Sequence, residues 1–255
     1  MRLVDSHCHL DFSDFDDDRG ELIKRCHQMS IHNFIVPGVS AKNWERLHQV
    51  ALQYSEITAV FGLHPYFIEQ HSINDIGLLE DLIKTQHPCA VGEIGLDYYD
   101  KTLDREKQRS FFDSQLLLAE KYQLPVILHV RKSHDDVLAM LKHRNICGGI
   151  VHAFNGSEQQ ANQYYDMGFV FGFGGTTLNP NAKKIHQLIK ILPINSIVLE
   201  TDSPDMVPVG SNHSRNTPLT IYNVAEAVAE IRVLSVEAIA EATTHNVEQV
   251  LNVSF

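Results

Sequence analysis

Cysteine is scarce in this chain and unorganised: Cys8, Cys26, Cys89 and Cys147 are the four, and none belongs to a C-x-x-C pair. Such spacing offers neither a thiolate metal knuckle nor a disulfide frame, and reads as buried or incidental thiols in a reducing compartment. Long apolar runs are missing too; none approaches the ~18 residues that cross a bilayer. The amino terminus lacks a basic stretch followed by an apolar one, so no secretory leader is expected and a cytoplasmic location without membrane contact is the default. Positive charge is in short supply, with 21 Lys and Arg against 32 Asp and Glu, a net charge of −11 with histidines neutral. That excludes a broad basic face for duplex DNA. Bound divalent cations would offset part of this charge locally, which leaves an anionic substrate open at one site. No linker, low-complexity segment, solenoid-type repeat or sign of an obligate protein partner is present.

What the chain has in abundance is histidine, 15 residues. His32, His48, His71, His87 and His143 read as ordinary surface residues, so position must decide which of the others matter. Apolar runs of strand type occur at Leu3–Ser6, Asn33–Pro37, Thr58–Gly62, Cys89–Glu93, Pro125–His129, Gly149–His152, Phe169–Gly172 and Ser196–Glu200. Helix-type periodicity fills the intervals, most clearly over Asp104–Gln123, Leu219–Val233 and Ser235–Val250. Eight strands alternating with helices over 255 residues predict an α/β chain folded as a TIM-type (β/α)8 barrel, a single domain spanning 1–255. An open doubly wound sheet is the alternative. It would need a G-x-G-x-x-G turn, and the Gly172-Phe173-Gly174-Gly175 stretch lacks that pattern.

Barrel enzymes carry their chemistry at the carboxyl ends of the strands. Strand one ends in His7 and His9, two positions apart and so on one face of an extended chain. Strand four ends in Glu93, strand five in His129, strand six in His152, and strand eight in Glu200 and Asp202. Each has a bland reading. His129 could be a core histidine bonded to a carbonyl, Glu93 could pair with Arg131, and Asp202 before Ser203-Pro204 could cap a turn. Together, though, they crowd imidazoles and carboxylates into one barrel mouth with no lysine cluster in these strands. Buried carboxylates need a countercharge, and divalent cations supply it. Six ligand side chains exceed the three usual at one catalytic zinc, so two ions are expected. Glu93 is the natural bridge, and Asp202 would bind one ion and accept a proton from water as general base.

These motifs resemble the TatD family of metal-dependent deoxyribonucleases, within the amidohydrolase-like barrels. The likeness runs through Asp5-Ser6-His7-Cys8-His9-Leu10-Asp11, Gly62-Leu63-His64-Pro65, Val91-Gly92-Glu93-Ile94-Gly95-Leu96-Asp97, Leu128-His129-Val130-Arg131, Val151-His152-Ala153-Phe154-Asn155-Gly156 and Leu199-Glu200-Thr201-Asp202-Ser203-Pro204. The Arg131–Asp135 and Gly174–Thr176 stretches are similar to its YjjV branch, and Lys132-Ser133-His134 departs from the commoner family pattern. The resemblance implies His7, His9 and Asp202 on one ion, His129 and His152 on the other, and Glu93 between them. Four imidazoles favour Zn, Mn, Ni or Fe on ligand softness, and the resemblance adds Mg.

His64, after a glycine turn at the end of strand three, and Arg131, two residues past His129, are the substrate-side candidates. A guanidinium suits phosphate; the alternatives are a structural turn for His64 and an ion pair to Glu93 or Asp97 for Arg131. Three functions are compatible with these residues. The first is a phosphodiesterase or deoxyribonuclease acting on DNA ends, single strands or a small phosphate ester. The second is a two-metal hydrolase of a lactone, ester or amide, or a general phosphatase. The third is a non-catalytic metal-binding scaffold.

Overall fold

The computed structural model describes residues 1–255. Eight parallel strands form the centre: β1 (Leu3–Asp5), β2 (Ile31–Pro37), β3 (Ile57–Val60), β4 (Val91–Asp97), β5 (Val126–Arg131), β6 (Gly149–Val151), β7 (Phe169–Phe173) and β8 (Ile197–Leu199). Pairing runs in chain order, β1 to β3 and then β4 to β8. Two seams close the circle. Phe61 bridges to Val91 between β3 and β4, and Ser6 N–H donates to the Leu199 carbonyl (2.9 Å) between β1 and β8. Helices α1 (Arg19–Gln28), α2 (Trp44–Gln53), α3 (Asn74–Gln86), α4 (Arg105–Tyr122), α5 (His134–Leu141), α6 (Glu158–Asp166), α7 (Lys183–Ile191) and α8 (Thr220–Arg232) alternate with the strands, and α9 (Val236–Leu251) follows. This is the TIM-type barrel the alternation predicts, with strand bounds shifted by a residue or two.

The chain's caps agree with its sequence. Asp104 accepts from Lys107 N–H (3.0 Å) at the start of α4, and Ser235 accepts from Ala238 N–H (3.1 Å) at the start of α9. The barrel interior is filled by Val4, Ile35, Val60, Ala90, Ile127, Ile150, Val170 and Val198, one from each strand or the residue just before it. Their neighbours Val126, Leu128, Ile197 and Leu199 face outward into the layer beneath the helices, as the period of two requires. Val247 and Leu251 of α9 join the interior cluster. Asn246 donates to the carbonyls of Ile194 and Ile197 (both 2.8 Å), and Thr244 donates to that of Arg2 (2.9 Å). These groups all lie where strands begin, so α9 covers the amino-terminal end and leaves the carboxyl end open.

His71 is not a surface residue: it is 4 % exposed, and its Nε2 lies 2.9 Å from the His64 carbonyl, which steadies the turn after β3. No helix is long and apolar enough to cross a membrane.

Two outcomes follow. Leu251→Ala should destabilise the protein by about 2–5 kcal/mol, read from denaturant unfolding, because it opens a cavity against the barrel floor. All four cysteines are free, with Cys8 and Cys26 buried and Cys147 exposed, and burial pushes the Cys26 and Cys89 thiols up to about 12. Ellman's reagent should therefore label one thiol rapidly in the native protein and all four once it is unfolded.

Candidate metal centre

Inward-facing residues two positions beyond an interior apolar residue face the same way, at the open end. On β5, Ile127 is interior and His129 follows two later; on β6, Ile150 is followed by His152 in the same phase. β4 needs a correction of phase, because Ala90 is interior and Glu93 is three residues on. A register shift between Val91 and Ile94 against β5 supplies it, as an added residue in one strand does. His7 and His9 lie just past β1 and are fixed from the closing seam: the His7 carbonyl accepts from Asp202 N–H (2.9 Å), and His9 N–H donates to the Ser203 carbonyl (2.7 Å).

Glu93 is the hub. It is 1 % exposed. Its Oε2 lies 3.1 Å from His7 Nε2 and 3.8 Å from His9 Nε2. Its Oε1 lies 2.9 Å from His129 Nδ1, 3.1 Å from His64 Nε2 and 3.9 Å from His152 Nε2. Asp202 divides in the same way, with Oδ1 3.7 and 3.6 Å from His7 and His9 Nε2, and Oδ2 3.8 Å from His152 Nε2. The structure thus brings His7, His9, Glu93, His129, His152 and Asp202 together, and adds His64. Arg131 stands apart from this cluster. Its guanidinium stacks 3.8 Å from the Tyr99 ring centroid, reaches no nearer than 3.9 Å to Asp97, and lines the wall of the cavity above.

The proton positions separate ligands from other groups. Asp97 Oδ2 lies 3.1 Å from His129 Nε2, and an ionised carboxylate only accepts, so His129 carries a proton on Nε2; Glu93 Oε1, 2.9 Å from Nδ1, accepts there in turn, and Nδ1 would offer a lone pair once a cation displaces that proton. Glu200 Oε1 lies 3.1 Å from His152 Nδ1, an ion-pair distance without hydrogen-bond alignment, behind a ring whose Nε2 faces inward. Carboxylates behind metal-binding imidazoles commonly fix the tautomer in this way. His64 is arranged oppositely. Its Nδ1 accepts the Tyr66 amide proton (3.0 Å), so neutral His64 carries its proton on Nε2 and offers the cluster a donor. Burial holds His64 down at about 4, against the nearby Glu93 charge, and keeps it neutral.

Asp97 and Glu200, both in the quoted motifs, stand behind the candidate ligands His129 and His152, a placement that the parity of a strand does not reveal. Glu200 fits because Gly172 has no side chain; a Cβ there would come within 1.9 Å of Glu200 Oε2. Asp5 is a third support. Its carboxylate accepts from Thr201 N–H (3.0 Å) and Thr201 Oγ1 (2.5 Å), tying the ends of β1 and β8 together beneath His7.

The donor set fits divalent cations. Two overlapping groups, His7–Glu93–His152 and His7–His9–Asp202, each bring their ligand atoms within 4.8 Å, and His64 joins Glu93 and His129 at the same spacing as a donor. His7 is fully buried with neither ring nitrogen hydrogen-bonded, and His9 Nδ1 is likewise alone. Orphaned buried nitrogens are costly, and a cation would relieve them. Protons do part of that work otherwise. Burial opposes charging His152, but Glu200, Asp202 and Glu93 outweigh it and raise its pKa to about 10. Burial likewise opposes charging His9, and Asp202 with Glu93 raises it to about 9. In return Asp202, despite burial, is held at about 2 by His152 and His9, and Glu93, despite burial, is held well below the usual range by the imidazoles around it, with His64 and His129 hydrogen-bonding to it.

A closed barrel with imidazoles and carboxylates gathered at its open end defines a class, the metal-dependent hydrolases of amidohydrolase type. Within it, the chain belongs to the TatD related DNase family, which matches residues 4–252. It is 37 % identical over 99 % of its length, and 98 % of the relative's, to YjjV of Escherichia coli K12, described as an uncharacterized metal-dependent hydrolase. It is 32 % identical over 99 % of its length to all of YabD of Bacillus subtilis 168, which is described in the same words. The crystal structure of E. coli YjjV superposes with a TM-score of 0.95 over 99 % of both chains. A TatD family hydrolase from Entamoeba histolytica, 22 % identical, shares the fold at a TM-score of 0.85 over 98 % of each chain.

Asp97→Asn should weaken divalent-cation binding by about 10–100-fold without unfolding the protein; direct titration of the purified variant checks this, and wild-type affinity would remove Asp97 from its place behind His129. His9 and His152 are protonated at neutral pH until a cation takes their lone pairs, so binding at pH 7 should release protons and tighten as pH rises toward 9. Titration calorimetry in buffers of different ionisation enthalpy reads that release; a pH-independent affinity would contradict it.

Proposed function

We propose that the protein is a phosphodiesterase that hydrolyses nucleic-acid ends or single strands, using two divalent cations (Zn, Mn, Ni, Fe or Mg) held by His7, His9, Glu93, His129, His152 and Asp202. The observation that carries this reading is the division of Glu93, one oxygen toward His7 and His9 and the other toward His129 and His152, at the floor of a cavity of about 900 Å³. A bridging carboxylate beneath an open cavity suits a two-cation clamp on a tetrahedral phosphate. When bound, the cations supply Lewis-acid polarisation and acidify water.

The chain's own groups do the rest. Asp202, 17 % exposed at the mouth, is ionised at neutral pH and accepts the proton of the attacking water. The new P–O bond forms as the ester P–O bond breaks, and the proton taken by Asp202 passes to the leaving oxygen, giving a phosphate monoester and an alcohol. Neutral His64 donates a hydrogen bond from Nε2 to charge developing on the phosphoryl group, an electrostatic part and not that of an acid. Arg131, fixed by its stack on Tyr99, faces the substrate's negative charge across the cavity wall. The acidic exterior favours substrates held chiefly at the site over long duplexes bound along a basic face.

A panel of labelled single-stranded DNA, p-nitrophenyl phosphate and a generic lactone tests the reading. Release of nucleotides is the expected result; turnover of the lactone alone would move the protein to carbon-centre chemistry. His129→Ala and Asp202→Asn should each lower turnover by at least ~10²-fold while circular dichroism stays native. Full turnover by either variant would strip that residue of its part.

A further inference from the structure

The cavity above Glu93 has a second wall, the segment from the end of β7 into the first turn of α7. It carries Thr177, Lys183 and Lys184. Thr177 is 2 % exposed, and its hydroxyl has no hydrogen-bond partner. A buried, unsatisfied hydroxyl in a cavity wall costs free energy unless a ligand meets it. The two lysines are exposed, and the protein's lysine ion pairs are made by Lys24, Lys84 and Lys121 instead. They also occupy the first turn of α7, where the helix dipole disfavours cations. Within the protein a hydrogen bond from Lys184 to the Asn155 carbonyl offsets part of that placement, and no carboxylate pairs with either lysine.

The wall is braced. His186 of α7 donates from Nε2 to the Thr177 carbonyl (2.8 Å), which ties the threonine to the helix that carries both lysines. Lys184 Nζ donates to the Asn155 carbonyl (2.5 Å), three residues past His152. Asn155 Oδ1 in turn lies 3.3 Å from His134 Nε2, and His134 Nδ1 lies 3.3 Å from the buried Tyr164 hydroxyl. The departure from the family pattern at Lys132-Ser133-His134 thus supplies the inner end of this brace. Between the wall and the cation cluster the cavity is lined by Gly172 and Gly174, whose missing side chains make room for Glu200.

We infer that Thr177, Lys183 and Lys184 form a second phosphate subsite, which takes the phosphodiester next to the one being cleaved and makes the preferred substrate an oligonucleotide. This rests on the phosphodiesterase reading above. The preference comes from two ammonium groups facing one phosphate, with the hydroxyl as donor to it, in a protein that is otherwise acidic.

The test compares the full-length wild-type protein, Lys183→Gln/Lys184→Gln, Lys183→Arg/Lys184→Arg and Thr177→Val. Each is assayed on a thymidine trinucleotide and on bis(p-nitrophenyl) phosphate, which has a single phosphate. The ratio of the two kcat/KM values should fall about tenfold in the Gln pair and recover in the Arg pair, with the trinucleotide KM moving more than kcat. Thr177→Val should lower the ratio in the same sense. A separate arm measures fluorescein-labelled dT tetranucleotide by anisotropy in EDTA, where the salt slope of log Kd should drop by about one per lysine removed. An unchanged ratio, or equal loss on both substrates, overturns the subsite. If the wild type cleaves neither diester, the phosphodiesterase reading fails by itself. The EDTA arm then decides the subsite: weaker tetranucleotide binding by the Gln pair upholds it, and equal binding overturns it.

Discussion

The structure depends on one buried carboxylate that cannot stand alone. Glu93 lies at the floor of the barrel mouth with imidazoles on both sides, and a charge in that position is tolerated only if positive charge faces it. Protonated histidines meet the need in one state, and a bound metal ion would meet it in the other. The same geometry therefore makes the centre both stable and ready to exchange protons for metal.

Support for this hub comes in layers. Asp97 and Glu200 stand behind His129 and His152 and leave His129 Nδ1 and His152 Nε2 facing inward, while His64, held by its own backbone turn and by His71, faces the cluster with its Nε2 proton. Three histidines around one carboxylate thus take two different parts, decided by what stands behind each ring. The closing seam adds to this, because Asp5, Thr201 and the His7 carbonyl lock β1 to β8 where His7, His9 and Asp202 must meet. Barrel closure and site assembly are the same set of hydrogen bonds.

The charge distribution is consistent with that centre. The surface as a whole is acidic, yet the cavity walls carry Arg131, Lys183 and Lys184. Long-range attraction to a polyanion is weak under those conditions, so any anionic substrate would have to be held by short-range contacts inside the cavity.

The sequence by itself determined the barrel, since alternation of period-two and period-3.6 apolar patterns is local physics that needs no knowledge of neighbours. It also marked six strand-end residues that converge, because a strand's parity carries from Ile127 to His129 and from Ile150 to His152. Other features needed the tertiary structure. Glu93 faces inward only through a register shift set by the pairing of β4 with β5, and no pattern along β4 announces it. His71 looked solvated because its burial comes from packing near α4, against Phe111. The parts played by Asp97, Glu200 and Thr177 depend on which nitrogen, carbonyl or empty space lies opposite. Those relations join residues tens of positions apart, and proximity across a closed sheet is fixed by the fold as a whole.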